Sequence, residues 1–277
     1  MFGAILGDMI GSPYEFDRSP KTKEFPLFKK SSTWTDDSVM TVAVAEALLQ
    51  VRRWMEETGG VMPEDEAVRA LLVKSLKKYG RTWPDAGYGG RFRVWLFTDM
   101  TEPYGSYGNG SAMRVSSAGW LFETLEETRH IARLTADVTH DHPEGIKGAE
   151  SVAAAIWLAR HGSGKEEIRE YVTREFGYDL SRTCDQIRPG YRFNESCQGT
   201  VPEAFAAFLE GEDFEDVIRG AVSLGGDCDT LTCIAGGIAE ACYGIPKEIA
   251  KEGKNRLTED MLSVLNRFDG LVNGRTD

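Results

Sequence analysis

Apolar residues recur at three- and four-residue steps along most of this chain. One such stripe follows the acidic segment 63–66 and consists of Ala67, Val68, Leu71, Leu72, Leu76 and Tyr79. A second consists of Leu257, Met261, Leu262, Leu265 and Phe268. This spacing places the apolar side chains on one face of an α-helix. Similar patterns predict helices at about 36–56, 110–124, 143–161, 164–176, 212–224 and 229–242.

Strand-like alternation of useful length is absent from the sequence, as are internal repeats and Pro/Ser-rich linkers. The chain has 277 residues, which is an ordinary size for one compact domain with a deep core. The pattern therefore predicts an all-α fold, a compact helical bundle formed by a single domain over residues 1–277.

Small residues form stripes on two of the predicted helices. Gly3, Gly7 and Gly11 are spaced four residues apart near the N-terminus, and the segment after Asp229 is rich in glycine and alanine. Glycine inside a helix costs about 1 kcal/mol relative to alanine, so another interaction must compensate. Close packing of two central helices is the favoured interpretation, and a backbone brought near a ligand is the alternative.

The charge balance limits the partners of the protein. There are 44 acidic and 32 basic residues, which gives a net charge of −12. This balance disfavours binding to a nucleic-acid backbone or to anionic lipid. No stretch resembles a signal peptide or reaches the ~18 apolar residues of a membrane span, so we expect a cytoplasmic protein. We also expect a monomer. The five cysteines form no C-x-x-C pair, which indicates neither a disulfide framework nor a zinc site.

Two short motifs concentrate acids where helices begin. Thr35, Asp36 and Asp37 precede one apolar run, and the segment 225–230, with Asp227, Asp229 and Thr230, precedes another. Threonine and aspartate at these positions are typical helix caps. One cap needs only one acceptor, however, and each motif offers two carboxylates and a hydroxyl beside an apolar helix. Acids gathered near a core would raise one another's pKa unless a cation neutralised them.

Carboxylate and hydroxyl oxygens are the ligands that hard divalent cations prefer, so Mg²⁺ or Mn²⁺ fits these motifs better than zinc. The D-x-D spacing of Asp227 and Asp229 allows both to bind one ion and the second to reach another. If the two motifs converge, they form a site for two divalent cations.

The sequence also resembles a known family, the ADP-ribosylglycohydrolases. Six blocks carry the resemblance in the family's order: GDMIGSPYE (7–15), TDDSVM (35–40), SYGNGSAMR (106–114), TH (139–140), QGTVPEA (198–204) and SLGGDCDT (223–230). The resemblance implies an all-helical fold with two Mg²⁺ or Mn²⁺ ions in a central cleft. It implies that Thr35, Asp36 and Asp37 bind the first ion, Asp227 and Thr230 the second, and that Asp229 bridges them.

The resemblance also implies a substrate site. Glu15 closes the first block and would act as the base for water or as a gate on the cleft. The glycine-rich loop would hold the pyrophosphate and the distal ribose, and its residues are Gly105, Ser106, Tyr107, Gly108, Asn109 and Gly110. Tyr107 would stack on adenine, and His140 would contact phosphate or ribose. Glycines let backbone N–H groups approach phosphate, although the same stretch also fits a plain turn.

The expected activity is metal-dependent hydrolysis of the bond between C1″ of ADP-ribose and an acceptor, with Glu15, Asp36 and Asp229 as catalytic residues. The substrate would be an ADP-ribosylated protein or a related conjugate. The sequence does not decide which bond is cleaved: the bond to arginine, the bond to serine, the bond in O-acetyl-ADP-ribose, or another. The alternatives are a module that binds ADP-ribose without turnover and another helical dinuclear phosphohydrolase. Arg188, Tyr191 and Arg192 are further candidates for the cleft rim.

Overall fold

The computed structural model describes residues 1–274, and within them the chain forms fifteen α-helices and a short 3-10 turn. The helices, in chain order, are α1 (Phe2–Gly11), α2 (Asp36–Glu57), α3 (Asp65–Thr82), α4 (Gly90–Phe97), α5 (Gly110–Met113), α6 (Ala118–Leu121), α7 (Leu125–Asp137), α8 (Pro143–Arg160), α9 (Lys165–Phe176), α10 (Cys184–Ile187), α11 (Cys197–Glu210), α12 (Phe214–Leu224), α13 (Cys228–Tyr243), α14 (Lys247–Lys254) and α15 (Glu259–Asn273). The 3-10 turn is Ser12–Tyr14.

No β-strand occurs among the described residues, and an isolated antiparallel bridge joins Gly108 to Ser196. The prediction of an all-α, compact helical fold is therefore confirmed. The predicted domain extends to residue 277, and its last three residues lie outside the described part. No helix within residues 1–274 has both the length and the apolar character that a membrane crossing requires.

The periodic segments of the sequence become helices close to their predicted bounds, with one exception. The segment 110–124 was expected to be one helix, and the structure shows that this is wrong. Residues 114–117 separate α5 from α6, because the two ends of the segment pack on different helices. Arg114 points to α7 and donates to the carbonyl of Thr135, while Gly119 on α6 lies directly against Ile156 of α8.

Several helices were not predicted, among them two that lack a clear local pattern, α4 and α11. Helix α11 contains an internal proline, Pro202, which usually ends a helix. Helix α4 has eight residues and begins at a pair of glycines, Gly89 and Gly90. These two helices flank the site described below.

The glycine stripes lie at the centre of the molecule, where α1 packs along α13. A Cβ atom added at Gly7 would lie 2.1 Å from the carbonyl oxygen of Thr232, and one at Gly3 would lie 2.4 Å from that of Gly236. A Cβ at Gly11 would meet the carbonyl of Cys228 at 2.6 Å. Close packing of the two helix backbones is therefore the reason for these glycines, as predicted. Every residue of α1 is buried.

Candidate active site

A cleft of about 480 Å³ opens where the N-termini of α2, α4 and α13 meet the loop 105–110. Acidic side chains from four separate parts of the chain line it, and Glu195 is the acid that lies outside the motifs discussed above. Among its lining residues are Glu15, Asp36, Asp37, Asp227, Asp229 and Thr230. The structure thus brings the two acid-bearing motifs together at one site, next to Glu15.

The first motif begins α2, and it combines a capping residue with a carboxylate that takes no part in the cap. Thr35 is the N-cap residue, and its hydroxyl accepts a hydrogen bond from the backbone N–H of Asp37 at 3.3 Å. The Asp37 carboxylate is buried, and its Oδ2 accepts from the Thr230 hydroxyl at 3.1 Å. Its Oδ1 is buried without a hydrogen-bond partner among the described residues. Capping therefore accounts for Thr35 and leaves Asp37 available for another role.

Thr35 itself is held by an acid that the sequence analysis did not assign. Asp8 lies on α1 with no exposed surface, and it accepts from the Thr35 hydroxyl at 2.8 Å and from the Thr35 N–H at 2.9 Å. The N–H and the hydroxyl of Ser38 donate to the same carboxylate. Thr35 is not among the cleft-lining residues of the described chain, so its assignment as a metal ligand stays a prediction. The sequence did contain a signal for the role of Asp8, since it is a lone acid in an otherwise apolar helix.

The second motif begins α13 after two glycines with left-handed backbone angles. Gly225 and Gly226 both have a φ of 75°, a conformation that residues with a side chain rarely adopt. Asp227 follows as the N-cap residue, and its Oδ2 accepts from the side-chain amide of Asn109 at 2.6 Å. Asp229 is buried in the first turn, where the N–H of Thr230 donates to it at 3.0 Å. The glycine-rich loop is thus bonded directly to the acid cluster.

Burial and mutual repulsion perturb the cluster strongly. Carboxylate oxygens of Glu15, Asp227 and Asp229 lie within 4.8 Å of one another. Burial, followed by the charge of Asp229, raises the pKa of Glu15 to about 8. Burial raises the pKa of Asp227 to about 7 and that of Asp229 well above its ordinary value. These acids cannot all ionise at neutral pH without a compensating positive charge.

The loop 105–110 forms the side of the cleft next to α11 and is fixed by hydrogen bonds to the segment before that helix. The N–H of Asn109 donates to the carbonyl of Glu195 at 2.7 Å, and the N–H of Cys197 donates to that of Tyr107 at 2.9 Å. Tyr107 is half exposed, and its ring lies 5.4 Å from that of His142. Its predicted stacking on adenine stays a prediction.

His140 lies behind this loop and is 5% exposed. Its Nε2 is close enough to the loop that a Cβ atom at Gly110 would lie 3.1 Å from it. Burial, followed by the charge of Arg114, lowers the pKa of His140 well below its ordinary value. His140 is therefore a neutral side chain beside the cleft.

Two parts of the cleft were not predicted. The segment 87–92 before and within α4 contributes Gly87, Gly89, Gly90, Arg91 and Phe92, and the loop 194–196 forms another wall. The glycine-rich sequence GYGG (87–90) was a usable signal for the first part.

The interpretation of Arg188, Tyr191 and Arg192 as cleft-rim residues is not supported by the structure. The Tyr191 hydroxyl donates to the carbonyl of Gly199 at 2.9 Å. Arg188 and Arg192 line a separate cavity together with Lys21. Their side chains therefore do not line the cleft described above.

The sequence profile of the ADP-ribosylglycohydrolase family matches residues 1–275. The chain belongs to this family. It is 26% identical to human (Homo sapiens) ADP-ribosylhydrolase ARH3, over an alignment that covers 88% of this chain and 84% of that protein. It is also 26% identical to the ADP-ribosylarginine hydrolase Tri1 of Pseudomonas putida (strain GB-1), over 88% of this chain and 70% of the relative.

A solved structure titled ADP-ribosylglycohydrolase-related protein complex has the same fold. It superposes with a TM-score of 0.68 at 23% identity and covers 98% of this chain and 95% of its own. Family membership identifies the chain as an enzyme, a hydrolase of glycosidic bonds with ADP-ribosyl hydrolase activity.

Proposed function

We propose that this ADP-ribosylglycohydrolase uses two divalent cations to hydrolyse the bond between C1″ of ADP-ribose and its acceptor, releasing ADP-ribose. The supporting observation is the convergence of two acid-bearing helix N-termini in one cleft, beside a glycine-rich loop. The names of the similar hydrolases support ADP-ribosylated proteins or related conjugates as the substrate class. The acceptor stays open.

The residues of the cleft fit a pair of Mg²⁺ or Mn²⁺ ions. All the candidate metal ligands are oxygens, and Glu15, Asp227 and Asp229 form a tight carboxylate group. Within residues 1–274, the buried Oδ1 of Asp37 has no hydrogen-bond partner. Asp36 and Asp37 would hold one ion, with Thr35 as a further ligand, and Asp227 and Thr230 would hold the other. Asp229 would bridge the two. Such ions supply positive charge that polarises water and ribose hydroxyls.

The protein's own groups would orient the substrate around this cluster. The backbone of Gly105, Ser106, Gly108 and Gly110 would cradle the diphosphate and the distal ribose. His140 would contact phosphate or ribose, Asn109 would steady the loop through Asp227, and Tyr107 would stack on adenine. Fixing C1″ in this way lowers the entropic part of the barrier.

Hydrolysis would pass through an oxocarbenium-like state in which the bond between C1″ and the acceptor breaks as water attacks. Glu15 or a cleft aspartate would take the proton of that water. The acceptor would leave with the electron pair of the broken bond and receive a proton from that acid. The carboxylates of Asp36 and Asp229 would hold the two cations, and would thereby keep C1″ of the ribose in position for the reaction.

The test is product analysis on a panel of ADP-ribosylated acceptors with Mg²⁺, with Mn²⁺ and with chelator. We expect release of free ADP-ribose from at least one acceptor, and a loss of turnover of at least about 100-fold in Asp229→Asn with the fold retained. Asp99→Asn, at an exposed position, is the matched control.

Two outcomes would contradict the proposal. Full activity in chelator would exclude the metal role, and release of inorganic phosphate instead of ADP-ribose would exclude the glycosidic reaction. The extent of the domain over residues 1–277, the cytoplasmic location and the monomeric state stay predictions.

A further inference from the structure

Arg114 is a buried cation at the inner end of the cleft. It is 1% exposed and forms no ion pair among the described residues. One terminal nitrogen, Nη2, donates to the carbonyl of Thr135 and to the hydroxyl of Thr139, both at 2.8 Å. Burial lowers its pKa only to about 10, so the guanidinium stays charged at neutral pH. A buried charge that lacks a counterion is costly, which indicates a specific role.

Thr139 connects this cation to the substrate side of the cleft. Its side chain has no exposed surface, and its hydroxyl lies 2.7 Å from Nδ1 of His140. A guanidinium can only donate, so the hydroxyl oxygen of Thr139 is the acceptor in its contact with Arg114. The single hydroxyl proton must then find its own acceptor. Nδ1 of His140 is the acceptor that the described contacts provide.

This arrangement fixes the tautomer of His140. Because Nδ1 accepts the Thr139 proton, the ring proton of neutral His140 resides on Nε2. A proton on Nδ1 would leave the buried hydroxyl of Thr139 without an acceptor. If Nε2 were protonated as well, the ring would also become a second cation beside Arg114. Nε2 lies next to the loop, within 3.5 Å of the position of a Cβ atom on either Gly108 or Gly110. The Nε2–H group is therefore a donor located at the glycine-rich loop.

We propose that Arg114 and Thr139 are positioning residues that hold His140 as the neutral Nε2–H tautomer, so that it donates a hydrogen bond to an oxygen of the bound diphosphate. The identity of this oxygen rests on the proposed function, whereas the tautomer is a property of the resting protein. The role of Arg114 is thus indirect: it acts on the substrate through two side chains and does not need to touch it.

Nitrogen-15 NMR of the uniformly labelled full chain tests the tautomer without substrate. The protein has four histidines, so the ring signals of His140 are identified by their loss in His140→Gln. We expect an unprotonated Nδ1 and a protonated Nε2 at neutral pH. A protonated Nδ1, in either the other tautomer or the cation, would overturn the proposal.

Two matched variants test the positioning role. Thr139→Ser keeps the hydroxyl, so we expect the wild-type tautomer and a KM within about twofold of wild type. Thr139→Ala opens space for a water that can donate or accept, so we expect both tautomers and a rise in KM of about fivefold, with kcat less affected. Circular dichroism and melting temperature show whether each variant is folded.

Identical tautomers and KM values in the folded Ala and Ser variants would overturn the positioning role. The NMR result on the wild-type protein does not depend on activity. A wrong tautomer therefore refutes this proposal, whereas an absence of ADP-ribose release refutes the proposed function.

Discussion

Asp8 is the residue on which the geometry of the first acid motif depends. Its buried carboxylate on α1 accepts hydrogen bonds from the backbone and side chains of Thr35 and Ser38, at the beginning of α2. It therefore caps a helix that starts 28 residues later in the sequence, and it aligns Asp36 and Asp37 with α13. Burial raises the pKa of Asp8 to about 6, so the hydrogen bonds keep a substantial fraction ionised at neutral pH.

Replacing Asp8 should destabilise the protein through unsatisfied donors. Asp8→Ala removes the acceptor of the partly buried N–H of Thr35 and of the buried N–H of Ser38. We expect the free energy of unfolding to fall by roughly 3 kcal/mol. Urea denaturation measures this change. The exposed control Asp99→Ala should stay within about 0.5 kcal/mol of wild type. Equal stability of the two variants would contradict the capping role.

At the scale of elements, the contact between α1 and α13 determines where the acids of α13 lie. The two backbones approach closely because Gly3, Gly7 and Gly11 have no side chains. Glu15 follows α1 in the chain, and Asp227 and Asp229 lie at the beginning of α13. The same packing thus fixes both the core and three of the cleft acids.

A matched pair of glycine substitutions tests this contact. Gly7→Ala places a Cβ atom 2.1 Å from a backbone oxygen of Thr232, so α1 must move away from α13. We expect a loss of several kcal/mol, about 3 or more, although alanine favours helix by about 1 kcal/mol. Gly270→Ala on α15 is the control, since no atom lies within 4 Å of the added Cβ.

The control variant should be neutral or slightly more stable than wild type in thermal and urea denaturation. Moreover, Gly7→Ala should reduce activity in those molecules that still fold, because displacement of α1 moves Glu15 relative to Asp229. A Gly7→Ala protein as stable as Gly270→Ala would contradict the packing described above.

At the scale of the whole molecule, part of the excess of acidic residues is gathered in one cleft. The net charge is −12, and the cleft concentrates Glu15, Asp36, Asp37, Asp227 and Asp229 at one site. An anionic substrate is repelled from such a cleft until positive charge is bound there. Metal binding should therefore affect both the stability of the protein and its affinity for ADP-ribose.

The metal-free protein should lose stability as pH rises from about 4 to about 8. The pKa values of Asp227 and Glu15 in the folded protein, about 7 and about 8, exceed their ordinary values of 3.8 and 4.5. Between these limits the folded protein binds more protons than the unfolded chain, so the free energy of unfolding falls with rising pH. We expect the melting temperature in chelator to fall across this window.

Added Mg²⁺ or Mn²⁺ should raise the melting temperature more at pH 8 than at pH 5. At pH 8 the carboxylates of the cleft have lost their protons, and the cation neutralises their charge instead. Glu15→Gln removes one of the titrating groups and should flatten the upper part of the decline. A melting temperature in chelator that rises from pH 5 to pH 8 would contradict the prediction.

The fold could be predicted well where the signal was local. The apolar spacing of α3 and α15 and the acidic starts of α2 and α13 lie within a few neighbouring residues. The break between α5 and α6 could not be predicted from the sequence, because it results from contacts of Arg114 and Gly119 with two other helices. The cleft residues of 87–92 were missed for a related reason, since a short helix with two initial glycines carries little periodicity.

The sequence by itself determined that the chain is helical, that two helices begin with clustered acids and that its motifs resemble the ADP-ribosylglycohydrolases. These features depend on neighbouring residues and on the identity of side chains. Only the tertiary structure decided which helix ends meet, as in the bond between Thr230 and Asp37, 193 residues apart. It alone assigned Asp8 to capping and linked Arg114 through Thr139 to His140, because burial and partners depend on how distant helices pack.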